Sequence, residues 1–472
     1  MGTQGVSTQG QAAKQQLTVG HGQGTVEGLR HEFRSVLRLA WPLALANLGW
    51  MFMGLVDTMM VGRVSAEAID AVSLGGILFA TVALFGGGIM LGLDAMIPAA
   101  FGAGRLEECH RSLFAALQLS LVLAAVLMAV LWYGTPLLGR AGINPAVLPL
   151  TLPYVRVLLW SMVPLLVYFS FRGYLQGMSL VRPIMFALLS ANVVNAAGDW
   201  VLIYGHFHFP ALGAVGSAWS TTIARIYMAF VLLTVAVRHD RRNRTGLFSA
   251  PVAPDWNRIA RLLRLGLPAA LQITLEVGVF AAATALIARL DVASLAAHQI
   301  AMNAATFTYM VPLGIASAAA VRVGQALGRG DPRAASRSGW AAIALGAGFM
   351  SGGAILFLLA PHAIARAFTP DVSVIRIGVS LLFVVALFQL FDGVQTVATG
   401  ALRGAGDTRT PMMCHLCGYW LLGLPLGYFL GFHERLGAVG LWLGLCAALI
   451  VIGCVLLAVW RQKVSAMREE AA

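Results

Sequence analysis

Charge is what this chain has least of. Of its 472 residues only 11% are charged, 32 basic and 20 acidic, while 59% are hydrophobic. An ordinary soluble domain carries about 25% charged residues, so the shortage excludes a water-soluble fold of this size. Cysteine is scarce as well, five in all. Cys414 and Cys417 form a CxxC, but no second pair and no polar context supports a zinc or redox centre. Helix packing is the reading for them and for Cys446 and Cys454. Nucleotide-binding GxxxxGK[ST] loops, HExxH helices, paired-aspartate protease motifs and intramembrane Ser/His constellations are all missing. Their absence disfavours a nucleotide-driven pump and an intramembrane enzyme, and no organic or metal cofactor is expected. The first 35 residues have no apolar h-region, hence no cleavable signal peptide. Their Gly, Gln and Thr content reads as a disordered tail.

What the chain has instead is apolar runs. A spanning helix needs ~20 predominantly apolar residues, and 12 stretches qualify: 39–62, 71–97, 113–137, 153–176, 183–204, 209–237, 265–288, 292–321, 338–361, 377–402, 410–432 and 436–460. The fold class expected is an all-α polytopic membrane protein with 12 transmembrane helices; the ~10-residue alternating segments of a β-barrel are not seen. The formal charge of +12 is sorted by side rather than gathered for nucleic acid. With the N-terminus inside, the cytoplasmic segments hold 24 of the 32 Lys and Arg and the outer loops 7, Arg225 alone lying deep in a span. This is the positive-inside pattern and predicts cytoplasmic termini in a cell (inner) membrane. The largest basic cluster, Arg238, Arg241, Arg242, Arg244, Arg258, Arg261 and Arg264, falls in the central loop, where a topological, lipid-facing role is expected.

The two halves of the chain repeat. At an offset of 226, Pro42 matches Pro268, Ala44 matches Ala270, Arg63 matches Arg289 and Gly88 matches Gly314. Leu-Gly-Ala-Val-Gly recurs at 212–216 and 436–440. An offset spanning six helices returns each residue to the same membrane side, so the repeats are parallel and related by an axis along the membrane normal. The implied organisation is a tail over 1–35, an N-terminal six-helix bundle over 36–237 and a basic linker over 238–261. A C-terminal bundle over 262–461 and a short tail over 462–472 complete it. A central cleft would lie between the bundles.

The acids break the repeat. Glu276 aligns with Trp50 and Asp57 with Ala283. A carboxylate at mid-membrane depth costs ~2.5–3.5 kcal/mol even on mild scales, so acids that do not follow the scaffold point to ligand chemistry. Glu276 and Asp392 are the foremost candidates for binding a coupling ion. Asn192, Asn195 and Asp199 share a helix face by spacing, and with Asp57 they suit a proton or a hard cation. Asp94, close to the end of its span, reads as structural. Arg225 needs a partner, for which Asp199 is a candidate. Gln272, His298, Gln299, Asn303, Gln389 and Gln395 are polar residues at depth available to a substrate, with a hydrogen-bonded structural histidine the equal alternative for His298.

Three motifs carry a family resemblance. Gly54-Leu55-Val56-Asp57-Thr58-Met59-Met60-Val61-Gly62, Val321-Arg322-Val323-Gly324-Gln325-Ala326-Leu327-Gly328, and the run from Leu402 through Arg403-Gly404-Ala405-Gly406-Asp407 to Pro411 resemble, in order, signatures of the multidrug and toxic compound extrusion (MATE) transporters. The likeness extends over about residues 36–460. It implies an ion-coupled exporter of small organic cations, working as a monomer in the lipid bilayer without nucleic-acid partners. Glu276 and Asp392 resemble the Na⁺ or H⁺ site of the NorM-type branch. Asp57, Asn192, Asn195 and Asp199 look like the proton site of the DinF-type branch. One departure is Phe388, which stands where NorM-type proteins can place a tyrosine facing the cation. A phenyl face can still attract a cation. The alternative within the wider superfamily is a flippase for lipid-linked intermediates, whose anionic cargo would call for deep Arg and Lys.

Overall fold

The computed structural model describes residues 25–136 and 148–469. Among them every regular element is helical. We number the spans α1 (His31–Val61), α2 (Glu67–Gly102), α3 (Leu106–Gly134), α4 (Leu148–Leu159 with Met162–Gly177), α5 (Arg182–Tyr204), α6 (Ala214–Asn243), α7 (Trp256–Ile287), α8 (Val292–Gly328), α9 (Pro332–Leu359), α10 (Val372–Gly404), α11 (Arg409–His433) and α12 (Gly437–Met467). The two pieces of α4 meet at 45°, at Trp160 and Ser161. A short helix, Pro361–Phe368, links α9 to α10.

Helix begins at Thr25, inside the expected 1–35 tail; residues 1–24 lie outside the described residues. Likewise α12 continues as helix to Glu469. The central connection does not hang free between the bundles. Asp240 accepts from Thr245 Oγ1 at 2.6 Å and from the Leu247 amide at 2.8 Å. The Thr245 carbonyl lies 3.0 Å from His110 Nε2, and Gln118 donates to the Val252 carbonyl at 2.6 Å. The connection is thereby strapped along α3.

The repeat read from sequence recurs as paired contacts. A methyl group on Gly88 of α2 would sit 2.5 Å from Ala270 Cα of α7, and one on Gly314 of α8 would sit 2.6 Å from Ala44 N of α1. These are the same contact twice, because 88 matches 314 and 44 matches 270. The tighter approaches of Gly102 to Gln325 and of Gly328 to Ala99 form a second such pair. Close backbone approach at small residues is how helices associate where lipid removes the hydrophobic driving force. The matched turns agree as well: Gly104 and Gly330 take φ of +74° and +71°, a left-handed conformation that favours glycine.

All these contacts lie in the half of the molecule that carries the α1 start, the α12 end and the central connection, called here the terminal side. On that side Asn47 of α1 also donates to the Met310 carbonyl of α8 at 3.4 Å. Beyond Asn47 and Met310 the stripes that made contact continue as exposed residues. On α8 they are Phe307, Asn303 and Gln299; on α1, Leu55 and Thr58; on α2, Thr81 and Ile77; on α7, Val277 and Ala281. Spacing of three or four keeps each set on its contact face. The bundles are closed on the terminal side and part on the other, leaving a mostly apolar cleft.

Candidate functional site

Glu276 of α7 faces the interior of the C-terminal bundle with its side chain 14% exposed. Four helices meet around it. Tyr309 of α8 donates its hydroxyl to Oε1 at 3.5 Å, and Gln395 of α10 reaches the same oxygen at 3.5 Å. His415 of α11 lies 3.6 Å from Oε2 through Nδ1. The same Gln395 amide is 3.3 Å from Asp392 Oδ1, so one amide bridges the two acids that the sequence pairs. Asp392 is buried. Bond lengths of 3.3–3.6 Å are long for charged groups, and Gln395 Oε1 and both His415 ring nitrogens are buried without a hydrogen-bond partner. The oxygens of Glu276, Asp392 and Gln395 form a donor set suited to a proton or a hard cation.

Two of these residues are not among the candidates read from sequence. Tyr309 supplies the hydroxyl that Phe388 lacks, from a different helix. Phe388 itself stacks on Trp442, ring centroids 5.7 Å apart and 15° from parallel, so that face is taken. His415 stands beside Cys414 in the CxxC, yet a lone histidine in an apolar span is the same kind of signal as Glu276. Just after it, α11 runs as π-helix over Leu416–Gly423, a local widening often found at functional sites. Trp420 in that stretch donates to the Leu275 carbonyl at 3.0 Å, pinning α11 beside Glu276. The cysteines of the CxxC are free, Cys414 half-buried and Cys417 exposed.

The polar residues offered to a substrate divide. Gln299 and Asn303 lie exposed on the cleft stripe of α8. Gln272, His298, Phe388 and Gln389 are instead buried within the C-terminal bundle, off the cleft. Gln389 donates to Thr308 at 2.8 Å. His298 accepts at Nδ1 from Trp442 Nε1 at 3.0 Å and meets Thr284 Oγ1 through Nε2 at 2.8 Å. An indole can only donate, so the proton sits on Nε2 and His298 is a neutral, fully satisfied bridge between α7, α8 and α12.

In the N-terminal bundle Asp57 of α1, Asn195 and Asp199 of α5 and Thr221 of α6 come together. Thr221 donates to Asp57 Oδ2 at 3.1 Å, and the Asn195 amide donates to Ser220 at 3.1 Å. Asp57 and Asp199 are close enough for their charges to interact. Four buried oxygens here have no hydrogen-bond partner: Asp57 Oδ1, Asn195 Oδ1 and both of Asp199. Two adjacent buried carboxylates need a proton or cation between them. Asn192 stands apart, donating to the Gly49 and Leu188 carbonyls at 3.0 and 2.9 Å, which ties α5 to α1. The pairing of Arg225 with Asp199 is corrected: the guanidinium binds Ser161 and lies 4.5 Å over the Phe79 ring. That arrangement follows from the break in α4, which turns Ser161 inward.

Asp94 is indeed held by protein. Arg403 of α10 donates to Oδ2 at 3.1 Å and Gln176 to Oδ1 at 3.0 Å, the exposures of the ion pair being 8% and 2%. Arg403 belongs to the other bundle. A second pair crosses nearby, Arg322 to Glu32 at 2.8 Å, with Ser338 donating to the same oxygen at 2.8 Å. In the sequence Arg403 and Arg322 appear only as motif letters, with nothing to mark them as charged partners of acids in the opposite bundle.

The MatE family model matches residues 42–201 and 268–429, one segment in each bundle. A probable multidrug resistance protein NorM of Mesorhizobium japonicum is 37% identical over 441 residues, covering 92% of this chain and 94% of its own. Its counterpart in Brucella suis is 35% identical over 435 residues, 90% and 92% of the two chains. Among solved structures, the eukaryotic MATE transporter AtDTX14 superposes with a TM-score of 0.84 at 19% identity over 94% of this chain and 100% of that one. An outward-facing MATE transporter of the MOP superfamily gives 0.83 at 20%, over 95% and 100%. The fold, the two matched segments and the full-length relatives together make this chain a member of the MatE family of multi-pass membrane transporters.

Proposed function

We propose that the protein is a multidrug efflux transporter that exports cationic, amphipathic organic compounds in antiport with Na⁺ or H⁺. The names of the NorM relatives support multidrug export. The observation that carries the coupling is the buried pair Glu276 and Asp392 bridged by one Gln395 amide, set one helix face behind a cleft that opens on a single side. An inward-moving ion would neutralise the acids, and parting of the bundles on alternate sides would carry the substrate outward. An apolar cleft with Gln299 and Asn303 at its wall suits an organic cation. A flippase with anionic cargo is the poorer reading, since Arg225, Arg322 and Arg403 are all engaged by protein groups. The test is efflux of a fluorescent organic cation from proteoliposomes, driven separately by a Na⁺ gradient and by a pH gradient. Efflux under neither gradient refutes the reading.

The orientation proposed is cytoplasmic termini in the cell inner membrane, which places the closed, terminal side inside. Ser249 is exposed in the strap between the bundles. A Ser249→Cys protein, its native cysteines replaced, is expected to react with a membrane-impermeant maleimide only in inverted vesicles. Labelling in intact cells would reverse the orientation.

The N-terminal cluster is proposed as a second protonatable site that acts on substrate release. Linkage requires that a proton bound there and the substrate affect each other equally. Asp57→Asn is therefore expected to change the pH dependence of substrate binding while leaving its maximal affinity within about threefold, since the residue does not face the cleft stripe. Binding curves unchanged from acid to alkaline pH would make the cluster a helix-packing device.

A further inference from the structure

On the side away from the termini, the short helix Pro361–Phe368 and the first turns of α10 enclose a groove of about 750 Å³. His362, Arg366, Thr369, Arg376 and Ser380 line it. Its shape is fixed from below by a small apolar cluster of Ala365, Ile375 and Val379. Arg366 and Arg376 enter no ion pair among the described residues. The nearest acid in sequence, Asp371, is turned into its own helix cap, accepting from the Ser373 amide at 2.8 Å, the Ser373 hydroxyl at 2.6 Å and the Val374 amide at 3.3 Å. It does not line the groove. Two unneutralised guanidinium groups, an imidazole and two hydroxyls thus converge at the level where a spanning helix leaves the bilayer.

From this polar end an apolar track runs into the membrane. Val372, Arg376, Ser380, Phe383 and Leu387 recur at intervals of three or four and lie on one face of α10. Beyond Ser380 that face is apolar and outward, with Phe383 45% and Leu387 57% exposed. From Arg376 to Leu387 the helix descends roughly 16 Å, about half of the ~30 Å hydrocarbon core. Phosphate recognition at one end and one leaflet's depth of apolar surface below it are the two parts of a lipid.

We infer that this groove binds the headgroup of an anionic glycerophospholipid in the leaflet opposite the terminal side, with Arg366 and Arg376 on the phosphodiester and an acyl chain laid along Phe383 and Leu387. Arginine suits the phosphate because its planar fork can donate to two oxygens at once. The site lies at the connection between α9 and α10, and α10 carries both Asp392 and Arg403.

Native mass spectrometry of the full-length detergent-purified protein tests the assignment, with dioleoylphosphatidylglycerol titrated in. Arg366→Ala/Arg376→Ala is expected to bind the first lipid roughly ten- to thirtyfold more weakly, from the attraction lost with two basic residues at a membrane surface. Arg366→Lys/Arg376→Lys should recover most of the loss, and Arg63→Ala/Arg289→Ala, exposed on the same side but outside the groove, should leave the first lipid unaffected. Wild-type preference for phosphatidylglycerol over dioleoylphosphatidylcholine should vanish in the double alanine variant. Equal first-lipid affinity in wild type and that variant overturns the site. Equal wild-type affinity for the two lipids would make the groove ordinary lipid-facing surface. Displacement by glycerol 3-phosphate at matching concentration would make it a soluble-anion site instead. An unchanged thermal transition in detergent shows that the variants are folded.

Discussion

Glu276→Gln and Asp392→Asn are each expected to insert and fold normally and yet lose active efflux. The physical case starts from cost. A carboxylate at this depth is disfavoured by ~2.5–3.5 kcal/mol, and the groups around Glu276 offset little of that, since the Tyr309 and Gln395 contacts are both 3.5 Å long. A bound ion is the remaining compensation. If it recovers most of the cost, removing the charge weakens ion binding by about a hundredfold, which abolishes coupling at ordinary gradients. Insertion and folding should survive, because an amide keeps the shape and removes an expensive charge. Gradient-driven efflux from proteoliposomes, normalised to reconstituted protein, measures the outcome. Full transport by either variant would place the coupling elsewhere, and the Asp57 and Asp199 cluster would be the next place to look. Tyr309→Phe gives an intermediate case. It deletes one hydroxyl at 3.5 Å and should weaken ion affinity severalfold without abolishing transport, consistent with a net worth near ~1 kcal/mol for such a bond.

Most of the fold is legible in the amino-acid sequence, for reasons specific to membranes. Water is absent from the bilayer core, so every backbone group must pair within its own helix. Apolar length then counts spans directly, and the offset of 226 imposes the pairing of Gly88 with Ala270 and of Gly314 with Ala44. The acids are legible because they are rare and expensive. Contact between side chains far apart along the chain is not. Tyr309 and His415 reach Glu276 from α8 and α11; nothing in the sequence marks the tyrosine, and the histidine shows there as a polar residue at depth but not as a neighbour of Glu276. Polarity at depth misleads in the opposite direction for His298 and Gln389. Both sit at a depth where a substrate could meet them, yet His298 is held at both ring nitrogens inside the bundle, the structural alternative for it, and Gln389 donates to Thr308 there while its Oε1 has no partner; a buried polar side chain more often satisfies itself than waits for a ligand. Arg225 shows the limit of pairing by charge alone: a serine at a helix break and an aromatic face hold it in place of Asp199, and the acid near enough to act on its charge is Asp57.

The interbundle pairs lead to the second large effect. Asp94 with Arg403, and Glu32 with Arg322, are paired where the bundles meet on the terminal side. Under the proposed alternating access the bundles would part there, all four groups would meet water, and each charge would trade a protein partner for hydration. Breaking a buried pair by removing one member costs ~3–5 kcal/mol, because the other charge stays buried and unpaired. Asp94→Asn therefore penalises the closed terminal side and leaves the open state nearly untouched, where Arg403 is hydrated. The expected shift in population toward opening on that side is roughly a hundredfold or more. It can be read from the distance between spin labels at Glu107→Cys and Arg333→Cys, two exposed positions on opposite bundles, in a background without native cysteines. Wild type should be dominated by the shorter distance and Asp94→Asn by the longer. Arg403→Gln alone should move the same way, because it strands Asp94 beside Gln176. Asp94→Asn/Arg403→Gln leaves neither member of the pair charged and should return the short distance, which a mere loss of packing would not do. If the double variant opens as far as the singles, the pair is a packing contact and closure rests on the glycine-to-backbone approaches at Gly88, Gly314, Gly102 and Gly328.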